Sequence, residues 1–196
     1  VEYDADNVFL GRTFDWSSEP SEVHIQATGQ AFIGGNTSNT AGDEIQTGGY
    51  IYAADKIRID GGQHESAVGT LVHAASELVT QQSNSSIIVN ATEDAVIYGV
   101  IMAGGEVLQQ RDADGDYQGR YFNKFTGDST ITINADHQIM IGTDLRAGAA
   151  INLIGGNDPV GGSTYAGKGI VLLRSASLET SQPNSSINLN APGPVD

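Results

Sequence analysis

Residues 4–34 read DADNVFLGRTFDWSSEPSEVHIQATGQAFIG, and residues 112–142 read DADGDYQGRYFNKFTGDSTITINADHQIMIG. The two stretches align without a gap at an offset of 108, and 12 of their 31 positions are identical. A match of this length at a fixed offset marks an internal repeat. A repeat constrains the architecture more strongly than local secondary-structure propensity does.

Two further matches extend the repeat at slightly different offsets. The segment IRIDGG (57–62) matches INLIGG (151–156) at an offset of 94. The segment LVTQQSNSSIIVNA (78–91) matches LETSQPNSSINLNA (178–191) at an offset of 100. The changes of offset show that each copy has gained residues that the other copy lacks.

These additional residues fall in two polar stretches, 36–49 in the first copy and 157–168 in the second. Both are rich in Gly, Ser, Thr and Asn, as surface loops on a fixed scaffold are. The sequence therefore divides into copy 1, residues 1–108, and copy 2, residues 109–196. We expect the two copies to stack as one continuous solenoid, as a fragment of a longer chain.

Short alternating segments recur throughout both copies. In ITINA (131–135) apolar and polar residues alternate with the period of a half-buried strand. A shorter echo relates residues 86–105 to 130–149 at an offset of 44. In residues 65–82 the apolar positions also fit a helix, but the aligned positions of copy 2 break that stripe, so we predict strand there. Further short strands are predicted at 23–27, 31–34, 50–54, 56–60, 95–99, 151–155 and 169–173.

Two all-β architectures fit this pattern. The favoured one is a right-handed parallel β-helix, or β-solenoid, with loop insertions, in which coils of about 20 residues stack on one another and glycines serve the corners. The alternative is two tandem β-sandwich domains of about 100 residues each. The nested echo argues against the sandwiches, as does Trp16, which aligns with Lys124 in copy 2.

The phrases SSIIVNATEDAVIYGVIMAGGEV and STITINADHQIMIGTDLRAGAAINLIGG resemble the coils of filamentous-haemagglutinin-type β-helices in giant secreted bacterial surface proteins. The resemblance covers residues 86–108, 129–156 and 185–191. It implies an exported adhesin or exoprotein with an extracellular fibrous role. Insertions at 36–49, 109–128 and 157–168 depart from the compact coil of that family.

The densest group of acidic residues is Asp112, Asp114 and Asp116, at alternate positions around Gly115. Carboxylates spaced in this way can wrap one Ca²⁺, which prefers six to eight oxygen ligands. Copy 1 retains oxygen ligands at the aligned segment, in Asp4, Asp6 and the adjacent Asn7. We predict calcium as the cofactor of these six residues, with a solvated acidic turn as the alternative.

Composition excludes several classes of function. A net charge of −15, from 24 acidic and 9 basic side chains, opposes binding to nucleic acid, which needs clustered Lys and Arg. No apolar run approaches the roughly 20 residues that span a bilayer, so no membrane insertion is expected. The absence of cysteine removes disulfides and thiolate chemistry, and no nucleotide-binding or hydrolase motif occurs.

The sequence therefore predicts a non-enzymatic extracellular segment, structural or adhesive, that forms a stiff β-rod or filament stabilised by calcium. Its expected partners are neighbouring repeats, identical subunits, and glycans or proteins of the cell surface. Two alternatives stay open. One is a calcium-rigidified tandem β-sandwich stalk of an adhesin. The other is a carbohydrate-active β-helix enzyme of the polysaccharide lyase type, with Arg120 and Lys124 as basic groups.

Overall fold

The computed structural model describes residues 2–3, 9–11, 20–34, 45–47, 49–111, 117–124, 127–156, 169–192 and 195. All regular secondary structure in these residues is β-strand, as predicted. The strands are β1 (Glu2–Tyr3), β2 (Phe9–Gly11), β3 (Glu22–Gln26), β4 (Ala31–Ile33), β5 (Ile45–Thr47), β6 (Tyr50–Ala53), β7 (Lys56–Gly61), β8 (Val68–Val72), β9 (Glu77–Thr80), β10 (Ser86–Ala91), β11 (Asp94–Ile97), β12 (Val100–Ala103), β13 (Gly105–Arg111), β14 (Tyr117–Lys124), β15 (Thr130–Ala135), β16 (Ile139–Ile141), β17 (Asp144–Ala147), β18 (Ala150–Gly155), β19 (Ile170–Leu172), β20 (Ser177–Thr180) and β21 (Ser186–Asn190).

Three parallel sheets contain all but four of these strands. The first sheet has the order β3-β7-β10-β15-β18-β21, the second β5-β4-β8-β11-β16-β19, and the third β6-β9-β12-β17-β20. The chain visits the sheets in turn, so that β7, β8 and β9 lie in the first, second and third sheet respectively. We call such a set of three consecutive strands a rung. Each rung stacks on the one before it in chain order, except that β5 lies outside β4 at the edge of the second sheet.

Register between rungs explains the sequence echoes. Strands β10 and β15 pair in parallel from Ser86↔Thr130 to Ala91↔Ala135, which is the offset of 44 seen in the sequence. Strands β15 and β18 pair with Thr130 opposite Ala150, a rung of 20 residues without insertion. The segment 65–82, where helix and strand competed, contains β8 and β9, and the prediction of strand is confirmed.

An antiparallel hairpin of β13 and β14 interrupts the rungs between β12 and β15. From the sequence only an insertion at 109–128 is expected, whereas the two strands of the hairpin begin at Gly105 and end at Lys124. Strand β13 also contacts β9 of the third sheet. The pair β1–β2, also antiparallel, occupies the aligned place in copy 1.

The core consists of columns of aliphatic side chains that run across the rungs. One column of the first sheet contains Ile57, Ile87, Ile131 and Ile151, and each of these side chains has no exposed surface. Alternate residues of the same strands point outward and are partly exposed. The two-residue period of a strand therefore converts the alternation in sequence into a continuous interior.

Corners between sheets use small residues, in agreement with the abundance of glycine. Gly34 after β4 and Gly104 after β12 have positive φ angles of 80° and 68°. Serine hydroxyls bind the backbone at the same corners: Ser76 Oγ donates to Ile33 O and Ser129 Oγ donates to Ala103 O. The parallel sheets do not match the tandem-sandwich alternative, because β-sandwiches are built from antiparallel sheets.

Candidate functional site

The densest polar cluster among the described residues lies on the outward face of the first sheet. It joins His24 of β3, Arg58 and Asp60 of β7, Asn90 of β10 and Asn134 of β15. Arg58 and Asp60 alternate along β7 with the buried Ile57 and Ile59, so burial of the isoleucines fixes the outward direction of the polar pair.

Asp60 is the centre of this cluster, which we call the Asp60 ladder. Arg58 Nε donates to both carboxylate oxygens, at 3.1 Å to Oδ1 and 2.8 Å to Oδ2. His24 Nε2 lies 2.7 Å from Oδ2, and Asn90 Nδ2 donates to Oδ1 at 2.6 Å. Asn134 Nδ2 continues the series by donating to Asn90 Oδ1 at 2.8 Å. The ladder thus ties four successive rungs together.

The surroundings of Asp60 favour its ionised form. Burial on its own raises the pKa of this carboxyl, but the hydrogen bonds from Arg58, Asn90 and His24 outweigh burial and lower the pKa to about 2. The hydrogen bond to Asp60 and the negative charge of its carboxylate raise the pKa of Arg58. Asp60 is therefore a permanent anion at neutral pH.

This arrangement has little capacity for catalysis. A carboxylate with a pKa of about 2 holds no proton to donate at neutral pH, and both oxygens of Asp60 already accept hydrogen bonds. Within the described residues, no group of three or more His, Asp or Glu side chains could hold a metal ion. The geometry of the Asp60 ladder is that of a cross-strand connection.

The charged members of the ladder lie in copy 1, and Asn134 is its one member from copy 2. At the aligned positions of copy 2, Thr132 replaces His24, Asn152 replaces Arg58, and Ile154 replaces Asp60. The packing of the rungs therefore does not require these charges. A simpler amide pair remains in copy 2, where Asn188 Nδ2 donates to Asn152 Oδ1 at 2.8 Å.

A second polar group occupies the third sheet, where a shallow pocket lies beside Arg146. The pocket is open to solvent on one side and has a volume of about 250 Å³, which includes part of that solvent. Residues of β12, β17 and β20 and the residues that follow these strands line it. The Arg146 guanidinium pairs with Asp144 at 3.3 Å and with Glu179 at 3.5 Å. Two carboxylates offset the charge of one arginine, so the pocket offers no net positive charge to an anionic ligand.

A third group connects β6 to β9. Glu77 is buried, with 2% of its surface exposed, and its Oε2 accepts a hydrogen bond of 2.5 Å from the Tyr52 hydroxyl. The backbone N–H of Glu77 donates to Gly49 O. These contacts hold β6, the edge strand of the third sheet, against β9.

The predicted calcium ligands Asp4, Asp6, Asn7, Asp112, Asp114 and Asp116 all lie outside the described residues. What the structure describes is the strands on either side of them. Residues 112–116 connect β13 to β14, and residues 4–8 connect β1 to β2. Both acidic segments therefore link the two strands of an antiparallel pair, and calcium binding there stays a prediction.

The Asp60 ladder was not predicted from the sequence. Its only visible signal was the Asn that recurs after I-x-[IV] in both Ile87–Asn90 and Ile131–Asn134. The other partners come from strands 30 or more residues away, and insertions make those separations unequal. No motif of fixed spacing could therefore have found them.

Comparisons with protein-family models, curated proteins and solved structures give no match for this chain. Across the described residues there is also no helix long and apolar enough to cross a bilayer.

Proposed function

We propose that this chain is a non-enzymatic, extracellular structural or adhesive segment, folded as a right-handed parallel β-helix that acts as a stiff rod. The resemblance to filamentous-haemagglutinin-type coils supports this function. Calcium held by the acidic segments 4–7 and 112–116 would rigidify the connections within the antiparallel pairs. Neighbouring repeats and cell-surface glycans or proteins are the proposed partners.

One observation carries the proposal: the first sheet continues in register through both sequence copies. Strand β10 at the end of copy 1 pairs with β15 of copy 2 over six residues, without a shift. The side chains that meet there, Ile87, Val89, Ile131 and Ile133, are all fully buried. A junction as well packed as the rungs on either side leaves no hinge, which is what a rod requires.

The outward faces support a role at an exposed surface. The Asp60 ladder and the pair of Asn152 with Asn188 lie on the outward face of the first sheet, and the high net negative charge makes separate rods repel one another and remain dispersed. The clusters around Asp60, Arg146 and Glu77 are engaged in contacts within the sheets. Their geometry supports a mechanical role better than a catalytic one.

Stiffness can be tested by measuring one long distance in the intact chain. Gln26 and Asn190 occupy the same register column at opposite edges of the first sheet, and both are exposed. Five inter-strand spacings of about 4.8 Å separate their backbones by roughly 24 Å. Because the chain has no cysteine, a Gln26→Cys/Asn190→Cys variant can carry two spin labels without background.

Pulsed electron paramagnetic resonance should give one narrow distance peak near this value, with allowance for the label tethers. Labelled protein is diluted with unlabelled protein so that only distances within one molecule are read. Two independent domains joined by a flexible linker would give a broad distribution, and that result would refute the rod.

A further inference from the structure

Strand β5 breaks the order in which the chain visits the sheets. It follows β4 in the chain, yet it lies beside β4 in the second sheet, and the third sheet is reached only with β6. Its register with β4 is parallel, from Ala31↔Ile45 to Ile33↔Thr47. The outer edge of β4 is therefore paired by a strand of the same chain.

Copy 2 shows which strand occupies this position elsewhere in the stack. By the offset of 108, β4 is the counterpart of β16. Strand β16 pairs with β19 on one side and with β11, from the preceding rung, on the other. The register is the same, because Ile139 is opposite Ala95 just as its counterpart Ala31 is opposite Ile45. Strand β5 thus takes the place of a strand from a preceding rung.

The sequence that supplies β5 is specific to copy 1. Strand β5 lies within the insertion 36–49, across which the offset between the copies falls from 108 to 94. In copy 2, Gly142 and Thr143 alone connect β16 to β17. The insertion begins and ends at one place, since a methyl group placed on Gly34 would lie 3.1 Å from the Cα of Gly49. It can therefore be removed without lengthening the path of the chain.

The burial of β4 agrees with a covered edge. Its residues Ala31, Phe32 and Ile33 are 0%, 5% and 0% exposed. Strand β3 belongs to the same rung and is an edge strand of the first sheet. There Val23 and Ile25 are only partly buried, and the residues that alternate with them are exposed. Within one rung, the strand with an outer neighbour is enclosed, and the strand with no outer neighbour among the described strands is not.

We propose that β5 is a built-in cap that keeps other strands from adding to the edge of β4. An unpaired edge can accept a strand from another chain through its free N–H and C=O groups. Strand β5 covers this edge and is itself a poor template, because it has three residues and follows Asp43 and Glu44 in the sequence. The inference goes beyond the proposed function and limits it, since no neighbouring repeat can pair with β4 while β5 is in place.

The direction of the backbone groups makes the cap testable. The Ile33 carbonyl accepts a hydrogen bond from the N–H of His73, which follows β8. Because successive strand residues point their N–H and C=O groups to opposite sides, those of Phe32 face β5. In the observed register, the N–H of Thr47 then points toward β4, and that of Gln46 points away from it.

Removing the insertion should open the edge. Deletion of residues 36–49 joins Gly35 to Tyr50 and gives copy 1 a connection as long as that of copy 2. The Phe32 amide should then exchange its hydrogen about tenfold faster or more, while the interior amide of Val89 keeps its rate. Sedimentation velocity at physiological ionic strength should show oligomers that the natural chain does not form at the same concentration.

A matched pair of proline variants keeps the chain length unchanged. Thr47→Pro removes the N–H that points toward β4 and should reproduce both effects of the deletion. Gln46→Pro removes an N–H that points away from β4 and should behave as the natural chain does.

Two results would overturn the cap. If the two proline variants behave alike, or if the Phe32 amide keeps its exchange rate in both Thr47→Pro and the deletion variant, β5 does not cover β4. If the Phe32 amide exchanges faster but neither variant associates more than the natural chain, β5 covers the edge without excluding other strands, and the capping function fails.

Discussion

The stacked core predicts that one substitution has a different cost at the middle and at the end of the same column. Ile131 lies between Ile87 and Ile151 and has no exposed surface. Ile187 ends that column, contacts a neighbouring strand on one side, and is 42% exposed. Replacing each with alanine removes the same three carbon atoms from the two environments.

The expected costs follow from burial. At about 0.8 kcal/mol for each buried carbon, Ile131→Ala loses about 2.4 kcal/mol of transfer free energy, and the enclosed cavity raises the total to about 3–4 kcal/mol. Ile187 buries just under three fifths of its surface and leaves no enclosed cavity. Its substitution should therefore cost about 1.4 kcal/mol.

Urea denaturation of dilute protein, followed by circular dichroism, measures both values. With an m-value of about 2 kcal/mol/M, the midpoint should fall by about 1.7 M for Ile131→Ala and by about 0.7 M for Ile187→Ala. The m-value should be the same in both variants. Equal midpoint shifts would refute the reasoning, because they would mean that the end of the column is as enclosed as its middle.

Three further outcomes are expected. Asp60→Asn should lower the free energy of unfolding at neutral pH, and this loss should shrink as the pH falls from about 4 to about 2. The pKa of Asp60 in the folded protein, about 2, lies below the ordinary value of 3.8, so protonation removes the stabilisation that the carboxylate provides. Urea titrations across this pH range measure the loss, and a loss that does not change with pH would contradict the prediction. Calcium should raise the melting temperature of EDTA-treated protein, and the rise should be smaller in the Asp114→Asn variant. Calorimetry measures both rises, and equal rises would exclude Asp114 as a ligand. Gly61→Ala should lower the free energy of unfolding by about 1–3 kcal/mol, because the new methyl group would overlap the carbonyl oxygen of Gly69. Gly49→Ala should lower it less, because the nearest atom to its new methyl group would lie at 3.1 Å. Thermal denaturation of both variants measures the difference.

The rungs could be predicted because their signal is local and repeated. Alternation in ITINA (131–135) and its echo at an offset of 44 specify both a strand and the strand beside it. Segment 65–82 shows why the repeat mattered, since its apolar spacing alone favours a helix. Comparison with copy 2 selected the two strands β8 and β9.

The hairpin and the Asp60 ladder could not be predicted in the same way. Among the described strands, β13 and β14 pair only with each other, so the periodicity of the rungs contains no information about them. The ladder joins His24, Asp60, Asn90 and Asn134 at separations of 36, 30 and 44 residues. Insertions set these separations, so the contact is visible only when the register between strands is known.

Register also explains how so acidic a chain can stack. Directly opposite residues on neighbouring strands lie about 5 Å apart, close enough for two carboxylates to repel strongly. In the described strand pairs, no acidic residue is opposite another: Glu22 faces Lys56, Glu179 faces Arg146, and Asp60 lies between Gln26 and Asn90. In these strand pairs, negative charge is thus kept out of the stacking direction. Parallel sheets with this register can add strands without accumulating repulsion between them.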